Sequence, residues 1–140
     1  MTIVGVIAEL PPDLSDVAVA LWHEVGLTRP WNDPVADLRR ALEGPTSTVL
    51  AALDEGALLG TVMLGYDGHR GWMYYLAVRP GTQRQGVGRR LVEAAEEWLR
   101  ARGCPKAQLM VRHDNAAAKG FYERLGYADA ETTTLGKRLD

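Results

Sequence analysis

An uncharged run, Trp72-Met-Tyr-Tyr-Leu-Ala-Val78, leads directly into Arg79-Pro-Gly-Thr-Gln-Arg-Gln-Gly-Val-Gly88, and no other stretch limits the folds open to this chain as strongly. Aromatic and branched residues without a charge predict a strand buried on both faces, and Pro80 with Gly81 stops it. Apolar residues then recur at Val87, Leu91, Ala94/Ala95 and Trp98, the spacing of one helix face, which predicts a helix over residues 86–102. Arg100 and Arg102 complement its C-terminal dipole, and Gly103 supplies the stop. The loop therefore ends at a helix N-terminus, where backbone N–H groups lack intrahelical acceptors and the peptide dipoles place partial positive charge. Gly86 and Gly88 carry no Cβ, so an anion such as a phosphate can approach the backbone. Hydrogen bonds to a charged group contribute about 1.5–3 kcal/mol each, so a few amides suffice to hold a pyrophosphate. Arg84, Arg89 and Arg90 add positive charge at the same end. The same residues also suit a plain strand-to-helix turn that needs glycine and carries solvated arginines.

Spacing separates the known phosphate loops. A Walker loop requires Lys-Ser/Thr after its last glycine, and none follows here. A dinucleotide fingerprint requires a third glycine where Leu91 stands, and an acidic ribose ligand on a second strand. Gln83-x-x-Gly86-x-Gly88 after an apolar strand instead resembles the acyl-CoA-binding signature Arg/Gln-x-x-Gly-x-Gly/Ala of the GNAT superfamily of N-acetyltransferases. A second segment, Asn115-Ala-Ala-Ala-Lys-Gly-Phe-Tyr-Glu-Arg-Leu-Gly-Tyr127, is similar to that superfamily's Asn-x6-Tyr-x3-Gly-Phe/Tyr helix. The two motifs lie about a helix and a strand apart, and the resemblance spans nearly the whole chain. Within the superfamily, Arg29-Pro-Trp-Asn-Asp-Pro34, Gly65-Tyr-Asp-Gly-His-Arg-Gly71, Arg102-Gly-Cys-Pro-Lys106 and Leu135-Gly-Lys-Arg-Leu139 resemble the small bacterial YpeA-type acetyltransferases.

Composition bounds the alternatives. A chain of 140 residues is expected to form a single domain, 1–140, with a real core. A formal charge of −2 argues against a general nucleic-acid or anionic-membrane binder. Cys104 is the only cysteine, which leaves no disulfide framework and no cysteine-rich metal site. It is expected to be a buried, inert thiol. The first nine residues show neither a basic region nor an apolar run long enough for a signal peptide or membrane span, so a cytoplasmic location is expected.

Taken in order, residues 2–10 read as a first strand ending at Pro11-Pro12. A helix follows with the apolar face Val17/Ala18, Leu21/Trp22 and Val25, capped by Ser15 or Asp13 and closed by Gly26. Asp33-Pro34 suits an N-cap and first helical position, with Leu38 and Leu42 as that helix's narrow apolar side. Trp31 is either a staple at this helix entrance or a wall of an acceptor pocket. Residues 48–53 and 57–64 read as a hairpin turned at Asp54-Glu-Gly56. The connection at residues 65–71 carries Asp67, His69 and Arg70, either as chance polar groups on a solvated tip or as ligands and proton carriers. Residues 106–111 read as a strand. Asp114 or Asn115 caps a helix with apolar Ala117/Ala118, Phe121/Tyr122 and Leu125, and residues 131–135 fall in one or two closing strands.

The resulting order, β, α, α, β, β, β, α, β, α, β, is that of the GNAT acyl-CoA N-acyltransferase fold. The resemblance thus implies an α/β (α+β) architecture: a mixed, mostly antiparallel central sheet with helices on both faces and a splayed pair formed by the fourth and fifth strands. It implies acetyl-CoA as the cosubstrate, with no metal, held along Leu76, Ala77 and Val78 through the exposed backbone groups of Leu76 and Val78. One of these N–H groups can also face the oxyanion formed when an amine attacks the thioester. The amides of Gln83, Arg84, Gln85, Gly86, Val87, Gly88 and Arg89 would hold the pyrophosphate, and Asn115 either contacts the cofactor or caps its helix. Tyr122 matches the family's tyrosine that protonates the departing thiolate, and a phenol protonated at neutral pH suits an acid. No motif selects the base; Glu24, Asp67, His69, Tyr74 and a bound water remain open, with Trp31 a further acceptor contact. The expected reaction is direct transfer to a primary amine in a ternary complex, the acceptor being a small molecule or an exposed protein amine, by a homodimer joined through late strands. A non-catalytic acyl-CoA sensor and a phosphate-binding regulator are the alternatives.

Overall fold

The computed structural model describes residues 5–82 and 85–140. Gln83 and Arg84, and the first residues of the expected N-terminal strand, lie outside the described residues. The chain divides into two compact units, Met1–Met110 and Val111–Asp140.

The larger unit is a sheet of five strands in the order β1 (Val6–Glu9), β2 (Ser47–Asp54), β3 (Ala57–Tyr66), β4 (Gly71–Val78) and β5 (Ala107–Leu109). The first four pair antiparallel, and β5 joins β4 in parallel, giving the mixed sheet the resemblance implies. Helices α1 (Ser15–Glu24) and α2 (Pro34–Glu43) cover one face. Their Ala18, Leu21, Trp22, Leu38 and Ala41 form a core with Val49, Ala51, Leu58 and Ala77. Helix α3 (Val87–Ala101) covers the other face with Val87, Leu91, Val92, Ala95 and Leu99. Two glycines let α3 lie this close: a Cβ on Gly60 would stand 2.6 Å from the Ala77 carbonyl oxygen and 3.0 Å from Leu91, and one on Gly71 would stand 2.6 Å from Leu99.

Several local expectations need correction. Pro12 draws the entry to α1 into a 3-10 turn over Pro12–Leu14, so the Ser15 hydroxyl donates to the Pro12 carbonyl at 2.8 Å and neither Ser15 nor Asp13 caps α1. Asp33 does cap α2, accepting from the Ala36 N–H at 3.1 Å with Pro34 next. The β2–β3 turn places positive φ on Glu55 as well as Gly56. β4 is not buried on both faces throughout, since Tyr74 is 42% exposed. β5 is shorter than the run 106–111. Cys104 is partly buried and its thiol donates to the Lys106 carbonyl at 3.3 Å.

The smaller unit contains α4 (Ala116–Arg124), capped by Asn115, whose Oδ1 accepts from the Ala118 N–H at 3.0 Å. Tyr122 meets Phe121 and Tyr127 edge-on, with ring centroids 5.1 and 5.8 Å away. The closing strands expected around residues 131–135 do not form among the described residues; Glu131 has φ +56°, and Leu135 is 89% and Leu139 93% exposed. Glu131-Thr-Thr-Thr134 has β-branched side chains but no alternating apolar face to bury, and strand preference follows that burial.

Candidate functional site: the free edge of β4 and the start of α3

Two features of β4 open one of its edges. β4 pairs with β5 only from Gly71 to Met73, opposite Ala107 to Leu109. Beyond Met73 that edge has no strand beside it among the described residues. On the other side the β3–β4 ladder slips between Thr61 and Met63, so that Val62 alone faces Tyr75 and Leu76. This is a β-bulge, a device that bends a strand and ends pairing. Tyr75, at its centre, has φ +50°, a left-handed conformation that is uncommon for a bulky residue.

The backbone direction along the free edge follows from one bond. The Arg79 N–H donates to the Leu59 carbonyl at 2.7 Å, and Gly60 stands opposite Val78. Antiparallel pairs alternate between bonded and non-bonded, so Val78 is a non-bonded partner and turns its N–H and C=O to the free side. By the same alternation Leu76 also faces the free side. Ala77 turns its backbone to Thr61, and its methyl lies in the core. It lines the edge without offering it a hydrogen bond.

After Val78 the chain turns over Arg79, Pro80, Gly81 and Thr82. The Thr82 N–H donates to the Arg79 carbonyl at 3.1 Å, and Gly81 has φ +92°. Proline second and a positive-φ glycine third define a type II turn. Gly86, at φ +79° and ψ 11°, is the N-cap of α3 and contributes no side-chain cap. The first bond into the helix is Arg90 N–H to the Gly86 carbonyl at 3.0 Å, so Val87, Gly88 and Arg89 occupy the first turn, where helix geometry supplies their N–H groups no partner. The free edge of β4 thus runs into a helix N-terminus suited to an anion.

The arginines expected here divide. Arg90 is half-buried and donates to the Gly5 carbonyl at 2.8 Å, tying α3 to the start of β1. It therefore has a structural partner, while its charge stays at this end of the helix. Arg89 pairs with Glu93 at 3.0 Å, both side chains being well exposed, a contact worth little in water.

Of the acceptor-side candidates, Asp67 has the clearest role. Its Oδ1 accepts the N–H groups of His69 at 2.8 Å and Arg70 at 2.7 Å. The Arg70 and then the His69 backbone bond hold its carboxyl below the usual range. A carboxylate of lowered basicity that closes its own turn is a poor proton acceptor. Asp67 and His69 are separated from the glycine loop by the eight-residue length of β4, roughly 25 Å. Burial, followed by the charge of Asp67, raises the Tyr74 phenol, so Tyr74 holds its proton at neutral pH. Glu24 and Trp31 are exposed, at the end of α1 and in the α1–α2 connection. Burial pushes the Tyr122 phenol up to about 12.

Tyr75, which nothing in the sequence singles out, is tied into the fold. Its ring stacks on Trp22 at 4.0 Å, and its hydroxyl donates to Asp37 Oδ2 at 2.9 Å. An apolar groove of about 620 Å³ lies elsewhere, between the end of β1, the entry to α1, and α2, lined by Leu10, Pro12, Val19, Val35, Leu38 and Leu42. None of the residues expected to hold acetyl-CoA lines it. The β4 edge is the better candidate, because it presents directed hydrogen-bonding groups beside an electropositive helix end. Among the described residues no cluster of three histidine, cysteine or acidic groups is placed to hold a metal, and no helix is long and apolar enough to cross a membrane.

Comparison with known proteins bears on this geometry. A family model described as "Acetyltransferase (GNAT) family" matches residues 16–127. The acetyltransferase ECA0875 of Pectobacterium atrosepticum is 47% identical over 124 residues, 89% of this chain and 88% of that protein. The structure of the aminoglycoside N-acetyltransferase AAC(6')-Iy with the bisubstrate analogue CoA-S-monomethyl-acetylneamine matches with a TM-score of 0.81 at 16% identity, covering 96% of this chain and 98% of that one. An aminoglycoside acetyltransferase from an uncultured soil metagenomic sample, in complex with sisomicin, matches with a TM-score of 0.78 at 20% identity and 97% coverage of both chains. At such identities the structural likeness speaks for the fold.

Proposed function

Because the chain belongs to the acetyltransferase (GNAT) family, we propose that it moves the acetyl group of acetyl-CoA to a primary amine by direct transfer while both substrates are bound. The observation that carries this reading is the continuity of the free β4 edge with the left-handed Gly86 that opens α3. Leu76 and Val78 pair with the amides of the pantetheine arm, and the first-turn amides of α3 bind the pyrophosphate. Gln83, Arg84 and Gln85, which precede Gly86 in the chain, are assigned to the same pyrophosphate contact. Tyr122 protonates the departing thiolate. Its raised pKa keeps the phenol protonated at neutral pH, so it has a proton to give to the thiolate as the thioester carbon–sulfur bond breaks. Asn115 uses Oδ1 as the cap of α4, and its side-chain N–H groups are available to the cosubstrate.

The aminoglycoside ligands of AAC(6')-Iy and of the metagenomic enzyme support an amine acceptor. The acceptor is a small molecule or a protein amine. The family model extends over most of the chain, which supports residues 1–140 working as one acetyltransferase domain. The assembly we propose is a homodimer.

The test is release of CoA thiol from acetyl-CoA with a panel of aminoglycosides, simple primary amines and peptides bearing free N-termini or lysines. The expected result is amine-dependent release with intersecting initial-rate lines. Binding of acetyl-CoA with no turnover on any amine would refute the catalytic reading, and parallel lines would refute direct transfer.

A further inference from the structure

The left-handed backbone at Tyr75 is unusual because nothing local favours it. Glycine is the usual occupant of such a position in a bulge. Here a tyrosine is held by anchors from three separate parts of the chain. From α1, the Trp22 ring stacks on the Tyr75 ring with 13° between planes. From α2, Asp37 accepts the Tyr75 hydroxyl at 2.9 Å. From β3, the Thr61 hydroxyl donates to the Tyr75 carbonyl at 3.1 Å. The Thr61 oxygen accepts the Trp22 indole N–H at 2.8 Å.

The last two bonds form a chain with a fixed direction. An indole N–H can only donate, so Thr61 must spend its lone pair on Trp22 and its proton on Tyr75. Trp22 and Thr61 are both fully buried, so neither exchanges these partners for water. Backbone carbonyl, ring and hydroxyl of one residue are thereby held at the same time. All the anchors lie on the α1/α2 side of the sheet, away from α3.

We propose that Tyr75 is a positioning residue for acetyl transfer: clamped by Trp22, Thr61 and Asp37, it fixes the β4 bulge and so aims the backbone groups of Leu76 and Val78 at the acyl-bearing arm of CoA. This rests on the reading of the β4 edge as the acetyl-CoA site. The clamp acts through the strand rather than on the ligand. It also makes the separation of β4 from β5 a built feature, since the bulge follows Met73, the last paired residue, by two positions.

The test uses the full chain and two probes. CoA carries the pantetheine arm; adenosine 3′,5′-bisphosphate carries the nucleotide end without it. Tyr75→Phe keeps the stacked ring and removes the hydroxyl, Asp37→Ala removes the acceptor, and Asp37→Asn restores a carbonyl acceptor. Thermal melts establish that each variant is folded. Loss of one hydrogen bond to a charged acceptor is expected to weaken CoA binding roughly tenfold in Tyr75→Phe and Asp37→Ala, with the KM for acetyl-CoA rising in step. The bisphosphate affinity stays within about twofold, and Asp37→Asn recovers most of the loss. Unchanged CoA affinity in Tyr75→Phe, equal weakening of both probes, or Asp37→Asn as weak as Asp37→Ala would overturn the proposal. Failure of the unaltered protein to bind CoA would instead overturn the substrate reading, so the two failures are separable.

Discussion

A phenol whose pKa burial raises to about 12 is fully protonated at neutral pH, so the role proposed for Tyr122 is that of a proton donor and not of the base. Tyr122→Phe should lower kcat by about 100-fold, the lower end of what general acid catalysis contributes, with little change in the KM for acetyl-CoA. Steady-state kinetics with a fixed amine checks this, and an unchanged kcat would remove Tyr122 from the chemistry. The same shift has a consequence for stability. Tyr75 and Tyr122 are both raised to about 12 from an ordinary value of 10.0, Tyr75 chiefly by burial and then by its bond to Asp37. Between those values the unfolded chain has lost protons that the folded chain keeps. Stability is therefore unaffected by these groups below about pH 10 and falls as pH rises through 12. Denaturant melts at pH 9 and pH 11.5 should show this fall, reduced when both residues are Phe. At Gly60, any side chain meets the Ala77 carbonyl. Gly60→Ala should destabilise by about 1–3 kcal/mol through overpacking of α3 on the sheet, and a melt no different from the parent would contradict this packing.

At the scale of elements, the parts that punctuation controls were legible and the parts set by tertiary contacts were not. Asp33-Pro34 names the start of α2 because its carboxylate can reach an orphan N–H and its proline needs none. Gly86 and the periodic Val87, Leu91 and Ala95 likewise name the start and buried face of α3. The bulge left no trace, since one extra residue within a continuous apolar run alters no readable period. A tyrosine in the left-handed region is signalled by no local preference. Its anchors, Trp22, Thr61 and Asp37, are far apart in the chain, and each reads alone as an ordinary core or surface residue. Arg90 has a second use that its place beside a glycine loop does not signal, a hydrogen bond to the Gly5 carbonyl. The cap offers a check on this picture. Asp33→Ala should cost about 1 kcal/mol, without altering affinity for acetyl-CoA, because α2 is only shortened at its entry. A comparable loss of affinity would mean that the α2 entrance touches the ligand.

For the whole molecule, the start of α3 lies next to the open edge of β4, so in the proposed site affinity depends on a ligand that fills both. Acetyl-CoA at 100 times its Kd should stabilise the fold by about 2.7 kcal/mol, and ATP at the same concentration by much less. Equal thermal shifts would favour a general phosphate site. The most direct measurement is residue-resolved amide hydrogen exchange with and without acetyl-CoA. Exchange should slow at Leu76 and Val78 and at Val87, Gly88 and Arg89 in the first turn of α3, with Ala77 already slow because its backbone is paired with Thr61. Binding of acetyl-CoA that leaves these amides unchanged and protects another surface would contradict this site.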